Sequence, residues 1–307
     1  MTGLRLLAAD YLRLRRALGY RLVEHERFLG QFLDHLEQVN ARTITVEHAL
    51  TWARLPQDTS PRWHAVRLSA VRGFAAWALT IDPAVQVPPS GLLPWCSSRA
   101  TPYLYSTDQL DALLGAAADL SPALRAATYQ ALIGLLAVTG MRVGEVIRSD
   151  VKDLDLATGT LTVRGSKFGK SRQLPLHPST TDALRRYLRR RSRSTAITPA
   201  LLVSTAGTRL TYSNVHRTFA QLTARAGIGP RSTASRPRIH DLRHTFAVNT
   251  LLEAYQSGAE PAVRLPLLST YLGHTEPANT YWYLHAAPEL LALAADRLEQ
   301  HHANATS

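Results

Sequence analysis

A tyrosine, Tyr283, stands nine residues after the histidine of Leu272-Gly273-His274, in a chain that also carries His240-Asp241-Leu242-Arg243-His244. Upstream, Thr139-Gly140-Met141-Arg142-Val143-Gly144-Glu145 supplies another arginine, and Gly165-Ser166-Lys167-Phe168-Gly169-Lys170 sets two lysines in what reads as a hairpin turn. Together these are groups for attacking a phosphodiester. Such an attack needs a nucleophile, cations on the nonbridging oxygens and a proton for the departing 5′ oxygen. A phenol with a pKa near 10 is ionised in roughly one molecule per thousand at pH 7, so a tyrosine nucleophile needs help from its neighbours.

The residue types suit separate roles. Guanidinium groups stay charged and match two phosphate oxygens with a planar fork, which makes Arg142 and Arg243 candidates for clamping the scissile phosphate. His240 falls one helical turn before Arg243, on the same face, and is the candidate general base toward the tyrosine. His274 is placed to donate to a nonbridging oxygen, and Lys167 to protonate the leaving oxygen. Of the 35 lysines and arginines in the chain only Lys152, Lys167 and Lys170 are lysine. Two lysines in one short turn therefore ask for a chemical reason, and lysine gives up a proton far more readily than arginine.

Other chemistries lack their signatures. His240 and His244 have helical i, i+4 spacing, yet no His-Glu-x-x-His motif and no evident third ligand accompany them, so no metal is expected. Clustered carboxylates for a two-metal nuclease and a Gly-x-x-x-x-Gly-Lys-Ser/Thr loop for ATP are likewise missing. The reaction is expected to need no cofactor.

These groups must be held by a mainly α-helical framework with a small antiparallel β-sheet. Apolar residues recur at helical spacing in Leu4–Leu18, Glu24–Leu36, Val46–Leu55 and Arg62–Leu79, with Ser60 as cap and Pro61 at the first helical position of the last. Between Ile81 and Thr107, Asp82-Pro83, Val87-Pro88-Pro89-Ser90-Gly91 and Thr101-Pro102 break the pattern. The expected organisation is an N-terminal helical domain over 1–87, a linker over 88–106 and a second domain over 107–307. In that domain Thr107 is expected to cap a helix to Ala118, and Ser121-Pro122 to open another to Val138. Short alternating strands follow over 151–176, around Ala157-Thr158-Gly159 and the Lys167 turn. Helices are expected at 179–193, 212–226, 241–254, 261–272 and 288–300.

The formal charge is +12, a balance that draws polyanions, nucleic acid foremost. No run of 18 apolar residues and no signal-peptide pattern occurs, which implies an intracellular, cytoplasmic protein that does not engage a membrane. Cys96 stands alone and reads as an incidental linker residue. Arg62, Arg67 and Arg72 decorate the fourth helix, either as a solvated face or as contacts to DNA phosphates. The same two readings apply to the basic run Arg185–Arg193, and Lys170 is a further DNA-contact candidate.

The order Arg, Lys, His-x-x-Arg, His, Tyr resembles the tyrosine recombinase family, which includes phage integrases and chromosome-dimer resolvases, from about Tyr105 to His285. The resemblance implies a catalytic α+β domain preceded by a helical core-binding domain that clamps DNA. It assigns catalysis to Arg142, Lys167, His240, Arg243, His274 and the nucleophile Tyr283, with Glu145 orienting the arginines. Tyr283 is preferred to Tyr281 because nine residues is the family's distance, and helical geometry sets the two about 200° apart. Gly144 stands where many members have serine or alanine, and the segment Gln256–Pro266 is longer than the family's usual turn. Some transposon-borne members are similar in that segment, which tilts the reading toward a mobile element.

The implied activity is site-specific recombination through a 3′-phosphotyrosine. The implied partners are a double-stranded DNA target, further copies of the chain in a tetrameric synapse, and possible accessory recombination proteins. Residues 288–307 are expected to pack on a neighbouring protomer. A type IB topoisomerase and a DNA-binding subunit without catalysis are the alternative readings.

Overall fold

The computed structural model describes residues 2–94, 101–165, 171–194, 196–232, 235–257 and 261–273, with Thr280, Leu290, Ala292, Ala295 and Glu299. The chain divides into two compact units, Met1–Arg99 and Ala100–Ser307.

The first unit is built of helices α1 (Thr2–Ala17), α2 (Val23–Gln38), α3 (Val46–Arg54) and α4 (Pro61–Ala78). Their starts follow from local chemistry. Thr45 accepts from the His48 N–H to cap α3, and Ser60 accepts from the Trp63 N–H to cap α4, with Pro61 where its missing N–H costs nothing. Phe28, Leu29, Phe32, Leu33 and Leu36 form the inward stripe of α2. They meet Trp52 of α3 and Leu68, Val71 and Phe74 of α4 in one core.

Helix α4 corrects one expectation. Arg67 does not face solvent: it is 7% exposed, with its guanidinium carbon 3.8 Å from the Trp52 ring centroid and Nη2 donating to the Trp52 carbonyl at 3.0 Å. It is a packing element of the core and is not presented to phosphates. Arg72 is half-buried and donates to the carbonyls of Pro88 and Pro89, both at 2.8 Å. Arg62 is exposed.

The second unit runs α5 (Thr107–Ala118), α6 (Ala123–Thr139), α7 (Val143–Arg148), strands β1 (Leu154–Asp155), β2 (Thr160–Val163) and β3 (Arg172–Pro175), then α8 (Pro178–Arg191), α9 (Tyr212–Arg225), α10 (Asp241–Gln256) and α11 (Pro261–Leu272). The sheet is antiparallel in the order β1-β2-β3, and Leu161 pairs with Leu174 and Val163 with Arg172. Leu161, Val163 and Leu174 point into the core and their alternates outward. Helix α6 is apolar nearly all round because α5, α8 and α10 surround it.

Two helix starts differ from expectation. Ser106, not Thr107, caps α5, and its hydroxyl and the Gln109 side chain bond reciprocally. Helix α6 begins after Pro122 with no side-chain cap. The short helix α7 was not anticipated at all. No helix among the described residues is long and apolar enough to cross a membrane.

Candidate active site

The site begins at the end of α6. Gly140 terminates that helix in the left-handed conformation, φ 58°, which glycine adopts without steric cost. A side chain there would also collide with Phe246, whose Cδ1 lies 2.4 Å from the Cβ position. The chain turns at once into α7, so Arg142 occupies the N-cap and Glu145 the third position of that helix. The Glu145 carboxylate reaches back to the Arg142 N–H at 2.9 Å and to its Nη1 at 3.0 Å.

Glu145 is almost wholly buried and takes a second guanidinium. Arg172 at the start of β3 forks onto both carboxylate oxygens, Nη2 to Oε2 at 2.9 Å and Nη1 to Oε1 at 3.2 Å. Burial pushes the Glu145 pKa up, but the Arg172 hydrogen bonds and the Arg142 N–H and charge outweigh it and hold the carboxyl at about 2. Among the described residues two guanidinium groups share this one carboxylate, which leaves one positive charge in excess.

The turn after α11 closes against these arginines. Arg142 Nη2 donates to the Gly273 carbonyl at 3.2 Å, and Arg243, 2% exposed, donates through Nη2 to the Leu272 carbonyl at 2.8 Å. Its Nη1 donates to the Gly140 carbonyl at 2.6 Å. One arginine thus ties the end of α6 to the end of α11, and another holds the residue that precedes His274.

His240 lies just before α10 and is exposed as a residue. Partial loss of water around that ring, with the charges of Arg243, Arg142 and Arg238, lowers its pKa below the ordinary histidine value. It is therefore neutral at pH 7 and able to accept a proton. Behind it, buried Asp241 takes three N–H groups of Arg238, at 2.8 to 3.0 Å, and fixes the start of α10. The His244 ring packs edge-on against the His240 ring at 4.9 Å.

The structure therefore brings together Arg142, Glu145, His240, Arg243 and the backbone before His274. Lys167, Lys170, His274 and Tyr283 lie outside the described residues, as do Cys96, Tyr281 and most of 288–307. Arg62, Arg67 and Arg72 belong to the first unit. Of the Arg185–Arg193 run, Arg191 is spent on the carbonyls of Thr198 and Ala200. The sequence reading passed over Arg172, although strand alternation sets it on the same face as buried Leu174, and Arg238, whose one signal is an aspartate three residues on. No group of three or more potential metal ligands occurs among the described residues.

A mainly helical unit with a three-stranded antiparallel sheet gathers an arginine cluster suited to binding phosphate at the ends of α6 and α11, and comparison with known proteins gives the class. Residues 104–289 match the phage integrase family. The chain is 44% identical over 308 residues to y4rB, an integrase/recombinase by name, of Sinorhizobium fredii (strain NBRC 101917 / NGR234), an alignment spanning 98% of each protein. It is 34% identical over 295 residues to the tyrosine recombinase XerC of Azotobacter vinelandii (strain DJ / ATCC BAA-1303), covering 94% of this chain and 93% of that one. In fold it is similar to the Tn1549 transposon integrase solved with transposon right end DNA, with a TM-score of 0.64 at 18% identity over 95% of this chain and 99% of that one. The chain belongs to the phage integrase family and is a site-specific tyrosine recombinase.

Proposed function

We propose that this recombinase cuts and rejoins a double-stranded DNA target within a tetrameric synapse, with Tyr283 as nucleophile. The observation that carries the reading is the arrangement in which Arg142, held by Glu145 and the Gly273 carbonyl, and Arg243, held by the carbonyls of Gly140 and Leu272, meet at the turn that ends α11. In the cleavage step the Tyr283 phenol oxygen bonds to phosphorus while His240 takes its proton. The bond from phosphorus to the 5′ oxygen breaks as Lys167 supplies a proton to that oxygen. Arg142, Arg243 and His274 stabilise the charge on the nonbridging oxygens. The 3′-phosphotyrosine retains the energy of the broken ester, and attack by a partner strand's 5′ hydroxyl reverses the step on a new duplex. The reaction so written uses no cofactor.

The division of labour proposed is DNA clamping by residues 1–87, a linker over 88–106 and catalysis by 107–307. Arg62, exposed on α4, is a phosphate contact, and Lys170 supports the DNA beside Lys167. The tail 288–307 packs on a neighbouring protomer. The longer segment before Leu272, and the transposon DNA in the Tn1549 structure, favour a mobile element as the setting.

The test is covalent trapping. Wild-type protein incubated with fragmented genomic DNA and denatured should carry linked DNA whose sequencing returns the target site. Tyr283→Phe should bind a duplex of that sequence and form no adduct. An adduct of normal yield from Tyr283→Phe overturns the nucleophile. Relaxation of supercoils without strand transfer between two duplexes would favour the topoisomerase reading instead.

A further inference from the structure

We propose that Arg172 is a positioning residue for cleavage: it locks the Glu145 carboxylate and the Gly273 turn in the one arrangement that aims Arg142 at the scissile phosphate. This rests on the phosphate-clamping role proposed above for Arg142.

Two observations carry it. The first is the fork. With both Arg172 Nη atoms on its two oxygens, Glu145 can present only one orientation to Arg142, whose N–H and Nη1 it also accepts. The second is the fit under Gly273. That residue has φ 68°, and a Cβ built on it would lie 2.9 Å from Arg172 Nη1 and 3.3 Å from its Cζ. The flat guanidinium is thus in contact with the backbone whose carbonyl Arg142 holds, and no side chain can come between.

Arg172 touches no reacting atom in this scheme and acts through Arg142. Its removal should therefore matter in proportion to the negative charge that Arg142 has to stabilise. Replacing one nonbridging oxygen of the scissile phosphate by a methyl group removes that charge while leaving the tyrosine attack and the leaving 5′ oxygen unchanged.

The experiment measures single-turnover cleavage by the full chain on two duplexes of the target site, one with an ordinary phosphodiester and one with a methylphosphonate at the cleaved position. Arg172→Lys keeps a positive charge beside Glu145 but cannot fork. It should bind the duplex within about twofold of wild type and cleave the phosphodiester roughly 100-fold more slowly, the scale of a small misplacement of a catalytic group. On the methylphosphonate it should come within about threefold of wild type. Both rates come from one preparation, so their ratio does not depend on the folded fraction; if the lysine variant does not fold, Arg172→Gln, which likewise cannot fork onto Glu145, is read the same way. Equal losses on both duplexes, or no loss on either, overturn the proposal while wild-type adduct formation stands. A wild-type protein that forms no adduct overturns the underlying reading and takes this proposal with it.

Discussion

In the N-terminal unit the deepest cation, Arg67, lies flat on Trp52 and gives a hydrogen bond to its carbonyl, with no carboxylate among its bonded partners. In the C-terminal unit Arg172 and Arg142 converge on the buried Glu145, and Arg243 spans the carbonyls of Gly140 and Leu272. Both units bury guanidinium groups, but by different means. A π face, the Trp52 carbonyl and the Gln31 side chain hold a cation whose role is to fill the core, the ring contact being worth roughly 2 kcal/mol when desolvated. A shared carboxylate and fixed carbonyls instead make a rigid array that keeps excess positive charge in a defined direction, the preorganisation that stabilises charge developing in a transition state. The number of arginines in each unit therefore says little about function; what each is bonded to says more.

The contrast is tested most severely at the leaving group. If cations of the second unit hold distinct catalytic roles, Lys167→Ala should slow cleavage of ordinary DNA by roughly 10²–10⁴-fold, as expected for a lost general acid. It should approach wild-type cleavage on a substrate with sulfur at the 5′ bridging position, because a thiolate leaves without a proton. Rescue of Lys170→Ala but not Lys167→Ala would transfer the role to Lys170, and rescue of neither would point to His240.

Glu145 sharpens the comparison through pH. Its folded pKa of about 2 lies below the ordinary value of 4.5, so its contribution is fully present above about pH 4.5 and is lost as pH falls toward 2. The expected size is on the order of 3 kcal/mol. Denaturant unfolding of the C-terminal unit should show the stability gap between wild type and Glu145→Gln closing over that interval. A gap that stays constant from pH 7 to 2 would mean that the carboxylate is not held by its arginines.

Arg67→Ala should cost about 1–3 kcal/mol in the unfolding of the N-terminal unit, from the lost ring contact and the lost hydrogen bond. The salt dependence of DNA binding by the folded variant should match wild type. Arg62→Ala carries the smallest effect, with stability unchanged and the slope of log affinity against log salt reduced by about one. If both variants reduced that slope equally, the distinction between the packing arginine and the phosphate arginine would fail.

The misreading of α4 has a simple geometric origin. Successive arginines at 62, 67 and 72 are five residues apart, which turns each about 140° from the last, so they cannot share one face. Because α4 packs against α1, α2 and α3, one of the three had to point inward. Helix α7 was illegible for another reason: six residues are fewer than two turns and establish no periodicity. Its start could have been read from Arg142 and Glu145, since a glutamate at the third position that returns to the N-cap N–H is a local pattern.

The amino-acid sequence by itself determined the helical framework, the three-stranded sheet and the family, because hydrophobic period and ordered motifs are local or collinear properties. It also supplied the chemical vocabulary of Arg142, Lys167, His240, Arg243, His274 and Tyr283. Only the tertiary structure decided that Arg172 shares the carboxylate of Glu145, that Arg67 belongs to a core, and that the turn at Gly273 is held by Arg142, 131 residues away in the chain. Contacts across such separations leave no period in the sequence. They arise where the ends of α6 and α11 and the start of β3 meet, and burial at that meeting leaves each guanidinium only the partners that packing brings within reach.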